Sequence, residues 1–166
     1  MRTFTTLIAP IVALSLLVAP VAAQQQETGS GEEAMQLARE QTESYVAAYN
    51  AHDVAALATR YTPDADWISS LGDEVITHHE GRAAIEQFYR ETFANSPQIR
   101  AQLTTEHARF VTPDVLVSDL TWSVTNSTRT DRPSRGRGTV VSLRGDDRWM
   151  TCCVRLVMTP PTNAGR

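Results

Sequence analysis

Apolar side chains recur at helical spacing from residue 32 to residue 50. Met35, Ala38, Tyr45, Val46 and Tyr49 fall on one side of the wheel, with Arg39, Glu40 and Glu43 elsewhere. The pattern predicts an amphipathic helix with one buried face. Asn50-Ala-His-Asp53 breaks it, Asp53 is placed to cap a second short helix over 54–61, and His52 reads as a solvated turn residue. Pro63 closes that helix, and 64–70 alternates as a strand with Ala65, Trp67 and Ser69 on one face. Residues 71–81 read as a loop, and 82–93 as a third helix with Ile85, Phe88, Tyr89 and Thr92 inward. Four alternating runs follow, 99–111, 115–127, 135–143 and 148–158, with turns at Thr112-Pro-Asp114 and Arg144-Gly-Asp-Asp147. Strict alternation groups Leu103, Thr105, His107 and Arg109 on one face, and Leu116, Leu120, Trp122 and Val124 on another. It also groups Met150, Cys152, Val154, Leu156 and Met158, and Trp149, just after a turn, reads as core. Helices come first and strands after. The expected class is therefore α+β, N-terminal helices packed on an antiparallel sheet.

The ends of the chain add a destination. Met1-Arg2, an apolar run over 7–19 and the small residues Pro20-Val-Ala-Ala23 form the pattern of a signal peptide, removed after Ala23. The run is shorter than the ~20 residues that span a bilayer and contains proline. No cysteine follows the cleavage point, so no membrane anchor is expected after removal, and the location implied is periplasmic or secreted. Residues 24–31 are polar and read as a leader without packed structure. One domain over 32–160 and a short tail over 161–166 account for the rest.

Charge and candidate chemistry narrow the function by exclusion. The net charge is −4, and all 15 basic residues are arginines, which excludes Schiff-base chemistry on lysine. Asp64 and Asp66 read as solvated. His78 and His79 read as loop residues near a pocket mouth that lack a third ligand, so no metal is expected. Arg129, Arg132, Arg135 and Arg137 cluster at a hairpin tip, where an acidic chain without interleaved aromatics argues against nucleic acid. Cys152 and Cys153, on successive strand positions, would point to opposite faces as free thiols.

Three stretches carry a family resemblance: Tyr45-Val-Ala-Ala-Tyr-Asn-Ala-His-Asp53, Gly81-Arg-Ala-Ala-Ile85 with Phe88 and Tyr89 after it, and Gly138-Thr-Val-Val-Ser-Leu-Arg-Gly-Asp-Asp-Arg-Trp149. Over about residues 35–158 the chain resembles the SnoaL-like, ketosteroid-isomerase-like domains of the superfamily named after nuclear transport factor 2. The resemblance implies a cone-shaped cup, a cystatin-like α+β barrel in which helices pack on a strongly curved sheet. Steroid isomerases of that family use a helix tyrosine as oxyanion donor, an aspartate on the first strand as base and a protonated aspartate as second donor. Tyr45 stands where the tyrosine belongs, Ser69 where the base belongs, and Thr139 near the second aspartate. A serine cannot take a proton from carbon at neutral pH without a partner, so the isomerase mechanism loses its base.

What survives is a small, apolar organic molecule held in a cup lined by Tyr45, Tyr49, Trp67, Ser69, Phe88, His107 and Trp122, with no cofactor. One alternative is an isomerase-like or cyclase-like enzyme in which His107 acts as base and Tyr45 as donor. Another is a homodimeric accessory module that pairs through the outer face of the sheet, since the last strands, with Met150, Cys152, Val154, Leu156 and Met158 on one face and Val157 on the other, hold more apolar surface than one core requires.

Overall fold

The computed structural model describes residues 21–160 apart from 131, and side chains from 30 onward. Its elements are α1 (Val21–Asn50), α2 (Val54–Ala58), β1 (Tyr61–Leu71), β2 (Glu74–Glu80), α3 (Arg82–Asn95), β3 (Arg100–Thr112), β4 (Val115–Thr125), β5 (Arg135–Arg144) and β6 (Trp149–Met158). The strands form one sheet in the order β2-β1-β6-β5-β4-β3. The sheet is curved and unclosed, and the helices lie in its concavity, the α+β cone that the resemblance implied. One pairing departs from the all-antiparallel expectation. β6 returns to the middle of the sheet and runs parallel to β1, a long-range choice that local pattern does not encode.

α1 presents a stripe to the sheet in which Ala34, Ala38 and Tyr49 are buried. Its C-terminus is bolted to β3 by Asn50, whose amide donates to the Ala101 carbonyl (3.0 Å) and accepts from the Ala101 N–H (2.8 Å). His52 then turns the chain with φ 55°, a left-handed conformation. It is not solvated as expected: its ring stacks on Phe93 at 4.3 Å and reaches the Ile99 carbonyl. Asp53 caps α2 through the Ala56 N–H, 2.9 Å away. α2 stops at Ala58, and Tyr61 already belongs to β1, so that helix is shorter than the apolar spacing suggested.

Residues 71–81, expected as a loop, hold a strand. The short connection through Gly72 (φ 61°) and Asp73 folds β2 back on β1. Its Val75, Ile76 and Thr77 are β-branched, but the polar ends at Glu74 and Glu80 hid the pattern. Gly81, at φ 82°, makes the sharp entry into α3, a conformation costly for any side chain with a Cβ. α3 then buries Ile85, Tyr89 and Phe93, four residues apart. Burial of an aliphatic or phenyl side chain of this kind stabilises by roughly 1.5–3 kcal/mol.

Of the expected signal segment, residues 1–20 lie outside the described residues. Residues 21–31, read above as its end and an unstructured leader, belong to α1; no proline interrupts the helix there, and the first buried side chain among those described is Ala34. The tail over 161–166 lies outside the described residues. The main core joins Tyr49, Leu57, Tyr61, Trp67, Ile85, Tyr89 and Phe93 to Ala101 and Val154. A smaller cluster under the middle of α1 holds Ala34, Ala38 and Leu116, with Phe110 and Trp149 against it. Trp149 is thus half-buried, its ring 5.8 Å from that of Phe110.

Candidate functional site

Between the helices and the concave face of the sheet lies a cavity of about 220 Å³. Trp67, Phe88, Leu120, Trp122, Leu156 and Met158 supply apolar walls. Glycines on β5 make room for them: a Cβ on Gly138 would sit 2.4 Å from Leu156 Cδ2, and one on Gly136 would sit 2.9 Å from the Trp122 ring.

Many of the lining residues are polar, and two of them, Tyr45 and Tyr61, bond to Tyr89 behind the wall. Tyr45 on α1, Tyr61 on β1 and Tyr89 on α3 converge, with the Tyr89 hydroxyl 3.2 Å from Tyr45 and 2.7 Å from Tyr61. Three hydroxyls carry three hydrogens, and two contacts use two of them. One O–H hydrogen of the triad is left to donate. Burial, reinforced by the neighbouring phenols, raises Tyr89 well above its ordinary range; burial lifts Tyr45 as well and pushes Tyr61 up to about 12. At neutral pH these groups are donors and not bases. Arg60 reaches over from the end of α2, giving one guanidinium N–H to Ser44 Oγ (2.8 Å) and another to the Gln41 carbonyl. Burial draws its pKa down while the three tyrosines pull the other way.

Two further groups in the lining lack partners. Ser69 is fully buried, at 0 % exposure, and its hydroxyl meets no acceptor or donor. Gln41 accepts from Ser142 Oγ at 3.0 Å, yet its Nε2 is buried and unpaired. An unpaired buried polar group costs about 1–3 kcal/mol, and both groups belong to residues of the cavity lining. Among the described lining residues there is no aspartate, glutamate or histidine; the charged ones are Arg60, Arg129 and Arg132. No group of three His, Cys, Asp or Glu side chains suited to a metal occurs among the described residues.

Of the residues expected at a site, Tyr45, Tyr49, Trp67, Ser69, Phe88 and Trp122 line this cavity. His107 does not. A bulge between Thr105 and His107 breaks the alternation of β3, so Ala101, Leu103 and Thr105 face inward while Glu106 and His107 are both exposed. The pairing of Tyr45 with a His107 base across a substrate is therefore not formed. Thr139 also faces outward, where its hydroxyl donates to Asp119 at 2.6 Å. Asp66 binds His78 (2.6 Å) and Arg155 on the outer face. His79 instead packs between Trp67 and Phe88, and burial lowers its pKa.

A second bulge, in β6, overturns two further expectations. It lies at Cys152, bringing the two sulfurs within 3.3 Å of each other and not onto opposite faces; burial, with Cys153 alongside, pushes the Cys152 thiol up to about 12. It also splits the apolar run: Val154, Leu156 and Met158 line the cavity with Thr151, and Met150 takes the other face. The apolar run expected on one face is thus divided, most of it becoming cavity wall.

The sequence reading passed over Gln41, Thr42, Arg60 and Ser118, and took Arg129 and Arg132 for a solvated tip, although all six line the cavity. For Gln41 and Thr42 a signal existed. Both fall between Ala38 and Tyr45 on the buried stripe of α1, where a polar residue needs a reason.

A profile of the SnoaL-like domain matches residues 42–151, well over half of the chain. No functionally curated protein matches. Among solved structures, a protein from Novosphingobium aromaticivorans, named as a proposed aromatic ring hydroxylase, superposes with a TM-score of 0.64 at 20% identity, over 78% of this chain and 91% of its own. A Nostoc punctiforme domain of unknown function with a cystatin-like fold gives 0.62 at 20% identity, over 76% and 78%. A protein of the nuclear transport factor 2 type from Shewanella oneidensis gives 0.58 at 15% identity, over 69% and 91%. At such identities these likenesses establish the fold, and the profile match over residues 42–151 means that the chain belongs to the SnoaL-like domain family.

Proposed function

We propose that this is an exported binding protein for a small organic molecule with an apolar body and an oxygen acceptor, held in the cup with no reaction assigned. The observation that carries the reading is the lining itself, aromatic and aliphatic walls with the Tyr45 and Tyr61 phenols among them, together with two unpaired buried donors, Ser69 Oγ and Gln41 Nε2, on residues of that lining. A ligand carbonyl or hydroxyl oxygen would satisfy what the protein leaves unsatisfied, while the aromatic walls take the apolar body. Proton abstraction from carbon lacks a base among the described lining residues, which favours binding over isomerisation. Export rests on the pattern of the first 23 residues.

Native mass spectrometry and thermal shift with bicyclic ketones, phenols and matched hydrocarbons test this reading. The oxygenated compounds should bind, the hydrocarbons less well, and Tyr45→Phe should weaken the ketones by about 1 kcal/mol. Equal binding of ketones and hydrocarbons, or none of either, would count against it.

The outer sheet face supports pairing of two copies. Register places Val115, Leu143 and Met150 side by side, and Val117, Val141 and Cys153 in the next row, all at least partly exposed. Such a patch on an outer face is suited to an interface. Sedimentation at micromolar concentration should give a dimer that Val141→Glu dissociates; a monomeric wild type removes this reading.

A further inference from the structure

We propose that Cys152 and Cys153 are a modification site, a dithiol that closes to a vicinal disulfide by exchange with a small-molecule disulfide and reopens on reduction. They are the two cysteines of the chain, adjacent on β6. On a regular strand neighbouring side chains leave opposite faces, and their sulfurs could not meet. Here they do. The ladder steps from Ser142↔Thr151 to Val141↔Cys153, which leaves Cys152 as the extra residue of the bulge, and its S–H donates to Cys153 Sγ at 3.3 Å. Neither cysteine is sealed in the core, since both are half-buried free thiols.

The exchange runs in a fixed order. Cys153, as its thiolate, attacks one sulfur of the reagent R–S–S–R, so that a Cys153–S–S–R bond forms and one RS⁻ leaves with the proton Cys153 gave up. Cys152 then attacks Cys153 Sγ, forms the S–S bond within the chain and displaces the second RS⁻, which takes the Cys152 proton. The dithiol is oxidised by two electrons, and the reagent is reduced to two RSH. Burial raises the Cys152 pKa, and the hydrogen bond and charge of Cys153 raise it further. Those contributions of Cys153 end once its sulfur is capped by the reagent, so the first step readies Cys152 for the second. Adjacent Cα atoms stand about 3.8 Å apart, short of the roughly 4.4–6.8 Å usual across a disulfide, so the closed ring is strained and a reductant reopens it.

The bulge also ties the pair to the cup. Thr151 before it and Val154 after it line the cavity. The Thr151 N–H donates to the Arg60 carbonyl at 2.7 Å, and Val154 sits beside Trp67 in the β1–β6 register. Closure draws the sulfurs from 3.3 Å to a bond of about 2 Å, and the backbone that yields lies between those two wall residues. The site stands whether or not the cup holds a ligand.

Intact-mass spectrometry of the non-reduced chain after exposure to 2-hydroxyethyl disulfide tests the site. That reagent is uncharged, so Asp64 near Cys152 and Asp66 beside Cys153 neither attract nor repel it. The product should weigh two hydrogens less than the starting chain, carry no reagent, and regain both hydrogens with dithiothreitol. Cys152→Ser should stop at the mixed disulfide on Cys153. In urea, where the bulge is lost, the wild-type chain should accumulate the mixed disulfide about tenfold more than the folded chain does, because the two sulfurs are no longer held together. A folded chain that stays unmodified, ends as the mixed disulfide, or bridges to a second copy overturns the proposal. So does equal accumulation of the mixed disulfide in the folded and unfolded chains, which would mean that the fold does not prepare the pair.

Discussion

The two ends of the cup are built by opposite means. At the tyrosine end, groups from α1, β1 and α3 meet in a buried, mutually bonded set, so position is fixed by the packing of three elements. At the arginine end, the charged groups stand on one loop between β4 and β5, pinned by a handful of polar contacts. Regular elements place the first, and side-chain hydrogen bonds place the second. Stability should therefore respond strongly to changes at one end and weakly to changes at the other.

Truncation of the hub gives the largest contrast. Tyr89→Ala removes a fully buried ring and both of its hydroxyl contacts, and should destabilise by about 3–5 kcal/mol in urea unfolding. Arg129→Gln at the other end should stay within about 0.5 kcal/mol of wild type. Comparable losses at both ends would erase the distinction.

Alkali sharpens it next. All four tyrosines of the chain, Tyr45, Tyr49, Tyr61 and Tyr89, are raised by burial from an ordinary value of 10.0. A folded-state pKa above the unfolded one contributes stability that is complete below pH 10 and is lost as pH rises through the folded value. For Tyr61, held at about 12, the contribution is roughly 2–3 kcal/mol, lost between pH 10 and 12. Ultraviolet titration should show little phenolate near pH 10, then a steep rise as the protein unfolds. A smooth titration centred at 10 would place the tyrosines in solvent.

The smallest effect carries an unusual sign. Because the Ser69 hydroxyl is buried without a partner, Ser69→Ala should leave the free protein as stable or up to about 1 kcal/mol more stable. The same change should weaken ketone binding. A clear loss of stability in the free protein would mean that the hydroxyl is already satisfied.

Much of this architecture was legible because period and burial agree. Trp67 and Ser69 reached the cavity by simple alternation along β1, and Tyr45 by the helical stripe. His107 was misplaced because one extra residue in β3 reverses the alternation, and no side chain announces a bulge. Cys152 failed for the same reason one strand pair away. Arg129 and Arg132 sit in a segment whose composition is that of any solvated turn; what makes them rim residues is Thr128 binding α3 and Arg132 binding β2, contacts across 33 and 55 positions of sequence. Chemistry borne by loops is placed by long-range partners, and local pattern is silent about those.

Of the three indoles in the chain, Trp67 and Trp122 stand in the cavity wall, whereas Trp149 packs against Phe110 in the separate cluster beneath the middle of α1. Emission from the first two should change in wavelength and intensity when a molecule displaces water beside them, while the third supplies a constant background. The fold therefore carries its own optical gauge of occupancy, and Trp149→Phe would leave a protein whose whole indole signal comes from the cup.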